Sequence, residues 1–162
     1  MKKFLAVLFS VFLAALLPGC GNRDEASGVE VNNIDTIMSA KVEDRDYKCK
    51  VTHAVKGSGT VTITEPEFLE GLTFSWENGE YTLAMKDLSG SFNKEILPKE
   101  SFALCLMQVL DDSENLSFVS GHNDEKIFSG TCEAGKYKIH ADSKGKIRKI
   151  LVDDKKMQML FE

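Results

Sequence analysis

From Tyr47 to Val55 the side chains alternate strictly. Tyr47, Cys49, Val51, His53 and Val55 fall on one side, and Lys48, Lys50, Thr52 and Ala54 on the other. Only an extended strand puts every second residue on one face. The same period returns after the Gly57-Ser58-Gly59 turn, where Val61 and Ile63 oppose Thr60, Thr62 and Thr64. Glu65-Pro66-Glu67 breaks that strand. Leu72, Phe74 and Trp76 then share a face, Asn78-Gly79 signals a tight hairpin, and Tyr81, Leu83 and Met85 follow at period two. Four successive strands, each with one apolar face, specify an antiparallel sheet covered on one side.

The period changes after Pro98, which is placed to open a helix. Phe102 to Leu110 is apolar except for Gln108. A helix apolar on nearly every side must be wrapped by protein. Asp111-Asp112-Ser113 ends it. Strands are then predicted over 116–120, 126–132, 136–141, 147–152 and 157–161, with turns at Gly121-His122-Asn123-Asp124, Ala134-Gly135, Ser143-Lys144-Gly145 and Asp153-Asp154-Lys155-Lys156. Before the first strand, Ile34, Ile37 and Met38 stand at helical spacing and predict a short amphipathic helix over 33–41. The expected fold is α+β: a curved antiparallel sheet of about nine strands, an unclosed barrel, wrapped over one apolar helix, with a short N-terminal helix beside it.

The N-terminus carries an address. Lys2 and Lys3 precede an uncharged run from Phe4 to Leu17. That run is too short for an ordinary membrane span, which needs ~20 apolar residues, and suits a signal peptide. Leu17-Pro18-Gly19-Cys20 resembles the lipobox of bacterial lipoproteins, in which the cysteine is lipidated and becomes the new N-terminus. This divides the chain into a signal peptide (1–19), a lipidated Cys20 with a flexible polar tether (20–32) and a folded domain (33–162). Two or more acyl chains hold a protein stably on a membrane. The expected location is the extracytoplasmic face of the cell membrane, lipid-anchored.

Charge narrows the partners. The 162-residue chain carries a net charge of −5. Removing residues 1–19, which hold Lys2 and Lys3, makes the remainder more acidic. An acidic body repels phosphate backbones, so no nucleic-acid partner is expected. No CxxC or HxxxH spacing occurs, so neither a metal nor a cofactor is expected. His53, His122 and His140 are scattered and read as surface or half-buried residues. With Cys20 lipidated, Cys49, Cys105 and Cys132 remain. Cys105 reads as a small core residue, and the sequence leaves open whether Cys49 and Cys132 pair across the sheet. Glu65/Glu67 and Asp111/Asp112 read as solvated turns. No GxSxG or phosphate loop is present, so no enzymatic activity is expected.

Three stretches, VTITEPEFLEGLTFSWENGEYTL, LPKESFALCLMQVL and FSGTCEAGKYKIHADSKGKIRKILV, resemble in order and spacing the LolA/LolB-like family of lipoprotein carriers. They also look like lipoproteins of Gram-positive bacteria with that architecture. The resemblance spans residues 33–162 and implies an unclosed barrel with helices in its concave mouth.

The candidate ligand-binding residues are the apolar side chains of the inner face: Leu72, Phe74, Trp76, Tyr81, Leu83, Met85, Met107, Met159 and Phe161. Methionines adapt to irregular apolar partners. The expected function is binding of an acyl chain, lipid or other apolar small molecule in the concave face. The alternative is a non-enzymatic module with a filled core that docks or senses an envelope protein; the resemblance allows it, since relatives of that fold serve as envelope-stress sensors.

Overall fold

The protein is described by a computed structural model over residues 28–99 and 101–162. The expected signal peptide and Cys20 lie outside these residues. Among the described residues, eleven strands form one sheet. In chain order they are β1 (Ile34–Val42), β2 (Arg45–Val55), β3 (Ser58–Glu65), β4 (Thr73–Glu77), β5 (Glu80–Met85), β6 (Leu88–Phe92), β7 (Ser117–His122), β8 (Glu125–Cys132), β9 (Gly135–Asp142), β10 (Ile147–Val152) and β11 (Met157–Phe161). Among the same residues a single α-helix, α1 (Phe102–Asp111), joins β6 to β7.

The sheet order is β6-β5-β4-β3-β2-β1-β11-β10-β9-β8-β7. The chain therefore meanders outward from the middle to one edge, crosses to the opposite edge, and meanders back. The return is closed by antiparallel pairing of β1 with β11, which sets Met38 beside Phe161 and Val42 beside Met157. A connection between two opposite edges must pass over one face. α1 lies on that path, and the sheet curves around it as an unclosed barrel.

Burial follows the alternation. Cys49, Val51 and His53 of β2, Val61 and Ile63 of β3, and Phe74 and Trp76 of β4 are buried; so are Tyr137, Ile139 and Ala141 of β9, and Met157, Met159 and Phe161 of β11. The same core takes Phe102, Leu104, Cys105, Leu106, Met107, Val109 and Leu110 of α1. Each large aliphatic side chain so buried contributes about 1.5–3 kcal/mol. The tight turn at Asn78-Gly79 has φ 49° and 86°, the left-handed pair that an Asn-Gly hairpin requires.

Two aromatic residues lie across glycines on neighbouring strands. Gly59 is the register partner of Trp76, and Gly130 that of Tyr137. A Cβ on Gly59 would stand 2.4 Å from Trp76 Cζ2, and one on Gly130 2.3 Å from Tyr137 Oη. The glycines leave room for the rings to lie flat on the sheet, which fixes where each ring sits.

Four expectations are corrected. Residues 34–42 form β1 and not a helix: Ile34, Ile37 and Met38 fit helical spacing, but Met38 and Ala40 are buried at period two and Ile37 faces out. β6 is an additional edge strand, so eleven strands replace about nine. Pro98 does not start α1; Ser101 caps it, its Oγ accepting the Leu104 N–H at 3.5 Å. The chain is docked before residue 33, because the Glu30 N–H donates to the Gly145 carbonyl at 2.8 Å and Val31 is buried.

Candidate apolar binding groove

Where β1 and β2 turn, the sheet and the start of α1 part and leave a groove of about 530 Å³. Its sheet wall comes from Tyr47, Val61, Ile63, Phe74 and Leu83. Leu69 and Leu72, in the β3–β4 connection, close one side. Leu97, Pro98 and Phe102, leading into α1, close the other. Glu43, Arg45 and Lys155 stand at the rim with Ser101. Volume and lining fall in the range of small-ligand sites, which span ~300–1,000 Å³ and are mostly apolar with a few polar groups.

Each wall residue has a local cause. Phe74 and Leu83 are directly paired on β4 and β5, so both project to the same face. Tyr47 and Phe102 rings meet at 5.0 Å between centroids, which anchors the start of α1 to β2. Phe74 also touches Phe92 at 5.8 Å and Trp76 at 6.0 Å. The groove floor is thus the outer end of an aromatic row that runs into the core.

The candidate residues divide between groove and core. Leu72, Phe74 and Leu83 come together on the groove, and Leu83 remains 40% exposed there. Trp76, Met107 and Met159 are buried in the core behind it, and Phe161 is buried beside a separate hollow at the start of β1. Tyr81 and Met85 are half-buried on β5 outside the groove. Tyr47, Leu69, Leu97 and Phe102 are wall residues that sequence reasoning misses. They come from four separate segments, and only inward alternation at Tyr47 hints at one of them.

Two further expectations change at the far end of α1. His53 is fully buried, not superficial. Its Nδ1–H donates to the Val31 carbonyl at 2.6 Å, and its Nε2 lies 3.1 Å from Asp111 Oδ1. Asp111 is not a solvated turn residue either. Its Oδ1 also accepts from the Gly57 N–H at 2.8 Å and from the Trp76 indole N–H at 3.4 Å. A carboxylate in the last turn of a helix opposes the helix dipole. It is kept here because it satisfies donors from three strands or turns and so latches α1 to the sheet. That unfavourable position is the available sequence signal. Cys49 and Cys132 do not pair across the sheet, because β1, β11, β10 and β9 separate β2 from β8.

Comparisons with known proteins add the fold. No family model matches the chain, and no curated protein matches it. Among solved structures it is similar to an uncharacterized conserved protein from Thermus thermophilus, with a TM-score of 0.52 and 8% identity over 78% of this chain and 74% of that one. It is also similar to a LolA superfamily protein from Nitrosomonas europaea, with a TM-score of 0.41 and 12% identity over 78% of this chain and 66% of that one. The first likeness shows a shared fold.

Proposed function

We propose that this chain is a lipid-anchored protein of the extracytoplasmic membrane face that binds an acyl chain or similar apolar ligand, without catalysing a reaction. The observation that supports this reading is the open apolar groove between β3–β5 and the start of α1. Each methylene transferred into it contributes about 0.8 kcal/mol. Association itself costs at least about 4 kcal/mol. A chain of about fifteen carbons then reaches the −8 kcal/mol range of a micromolar Kd. Arg45 at the rim suits an acidic head group.

Leu83→Asp tests the groove. Leu83 is already part-exposed, so the substitution should cost only about 1–2 kcal/mol and leave the domain folded. It should weaken binding of a fluorescent long-chain fatty acid at least tenfold, because a carboxylate would have to be desolvated against the chain. Unchanged affinity in a fluorescence titration contradicts the groove as the site.

The anchor has its own test. Cys20→Ser should move the protein from the membrane to the soluble fraction and remove acyl labelling. A variant that still sediments with membranes contradicts the lipid anchor.

A second reading, an envelope-protein docking or sensing module, is favoured by one edge of the sheet. Every residue of β7 is exposed, including Phe118 and Val119, and β7 has a neighbour on one side only. Such an edge can take a further strand from a partner. Absence of any acyl binding would favour this reading.

A further inference from the structure

We propose that Cys105 and Cys132 form a dithiol–disulfide couple which, when oxidised, fastens α1 to the sheet at the β8–β9 turn. Their Sγ atoms lie 3.5 Å apart. Cys105 is buried in α1, and Cys132, the last residue of β8, is half-buried and open to a reagent. The sulfurs meet inside a clasp. One helical turn beyond Cys105, Gln108 donates to Glu133 Oε1 at 2.7 Å and its Oε1 accepts the Glu133 N–H at 3.0 Å. Lys94 holds the same Glu133 carboxylate at 3.4 Å. A disulfide needs the sulfurs at ~2.05 Å, so they must approach by only about 1.5 Å.

The two thiols are also differentiated. The hydrogen bond from the Cys105 thiol draws the Cys132 thiol below its ordinary range, and the turn N–H groups of Ala134 and Gly135 add to this. Donating that bond, together with burial, pushes Cys105 up. Cys132 is therefore the thiolate that starts exchange. Cys49 is different: burial pushes its thiol up to about 12, and it lies on a distant strand.

The chemistry balances with a disulfide-bearing oxidant. The Cys132 thiolate attacks one sulfur of that oxidant, forms a mixed disulfide and releases one thiolate. Cys105 passes its proton to the released thiolate, and its sulfur attacks Cys132 Sγ and expels the second thiolate. One protein thiolate and one protein thiol are oxidised to one disulfide, and one oxidant disulfide is reduced to a thiol and a thiolate. The bond would hold α1 one turn beyond the residues that wall the groove. That it restricts groove opening rests on the proposed acyl binding; the bond itself does not.

The test is peptide mapping of the purified full chain after incubation with oxidised glutathione and alkylation of remaining thiols. The expected result is a Cys105–Cys132 linked peptide, absent after dithiothreitol and absent in Cys132→Ser. The oxidised protein should melt several degrees higher than the reduced one, since a cross-link restricts the unfolded chain. Separate alkylation of both cysteines, or a lasting glutathione adduct on Cys132, would overturn the proposal. A mapped disulfide in a protein that binds no fatty acid would refute the acyl reading alone.

Discussion

Leu106→Asp should leave the domain unfolded at room temperature. Leu106 is 0% exposed, in the middle of a helix whose neighbours Leu104, Cys105, Met107, Val109 and Leu110 are also buried. The substitution loses the ~2–5 kcal/mol that truncating a core leucine costs. It also places a carboxyl group in an apolar site, a further cost of several kcal/mol even when the group takes up a proton. The sum reaches into the ~5–15 kcal/mol by which a domain is stable. Circular dichroism should show loss of the cooperative melt, while Leu83→Asp, on the groove, keeps it. A Leu106→Asp protein that melts like the parent would mean that α1 does not fill the barrel.

Trp76→Ala should destabilise the protein by about 3–5 kcal/mol, the range for a large aromatic removed from a packed core. The ring is 2% exposed and lies over Gly59, which has no side chain of its own to compete for the space. It also packs on Phe74 and His53 at 6.0 and 5.9 Å between centroids. The substitution removes the indole N–H from the Asp111 carboxylate as well. Chemical denaturation should show the loss as a lower midpoint. Fluorescence gives a matching expectation for the wild type. The single tryptophan, being behind Phe74, should change its emission little when a fatty acid fills the groove. A stability change under 1 kcal/mol would contradict its placement in the core.

The pattern of successes and failures in the sequence has physical causes. β2 to β4 and β9 to β11 are legible because each has one wet and one dry face, so alternation is forced. α1 is legible for the opposite reason: it is dry nearly all round. β1 misleads because Ile34 and Met38, four residues apart, fit both periods, while Ile37 fits only the helical one. The partner that decides between them, β11, lies more than a hundred residues away in the chain. β6 escapes notice because Leu88-Ser89-Gly90-Ser91-Phe92 is short and has a glycine at the centre of its apolar side, so its alternation is weak; an edge strand is held mainly by backbone bonds to β5.

The groove is legible only in part. Period two places Leu72, Phe74, Trp76, Tyr81, Leu83 and Met85 on one side of the sheet. It does not say which of them α1 covers. That depends on where Ser101 starts the helix and on the Tyr47–Phe102 contact. As a result Trp76 is core while Phe74 and Leu83 stay on the groove. The latch of His53, Asp111 and Trp76 is hidden for a similar reason. A histidine on an apolar face and a carboxylate at a helix end each look ordinary until the fold brings them to 3.1 Å.

The most direct measurement of the central claim is photo-crosslinking with a long-chain fatty acid that carries a diazirine near its end, followed by peptide mapping of the full chain. If the groove is the binding site, labels should concentrate on residues 69–83 and 97–103, and excess unlabelled fatty acid should suppress them. Labels spread over exposed apolar residues such as Phe118, Val119 and Leu88, or labels that competitor does not reduce, would contradict it.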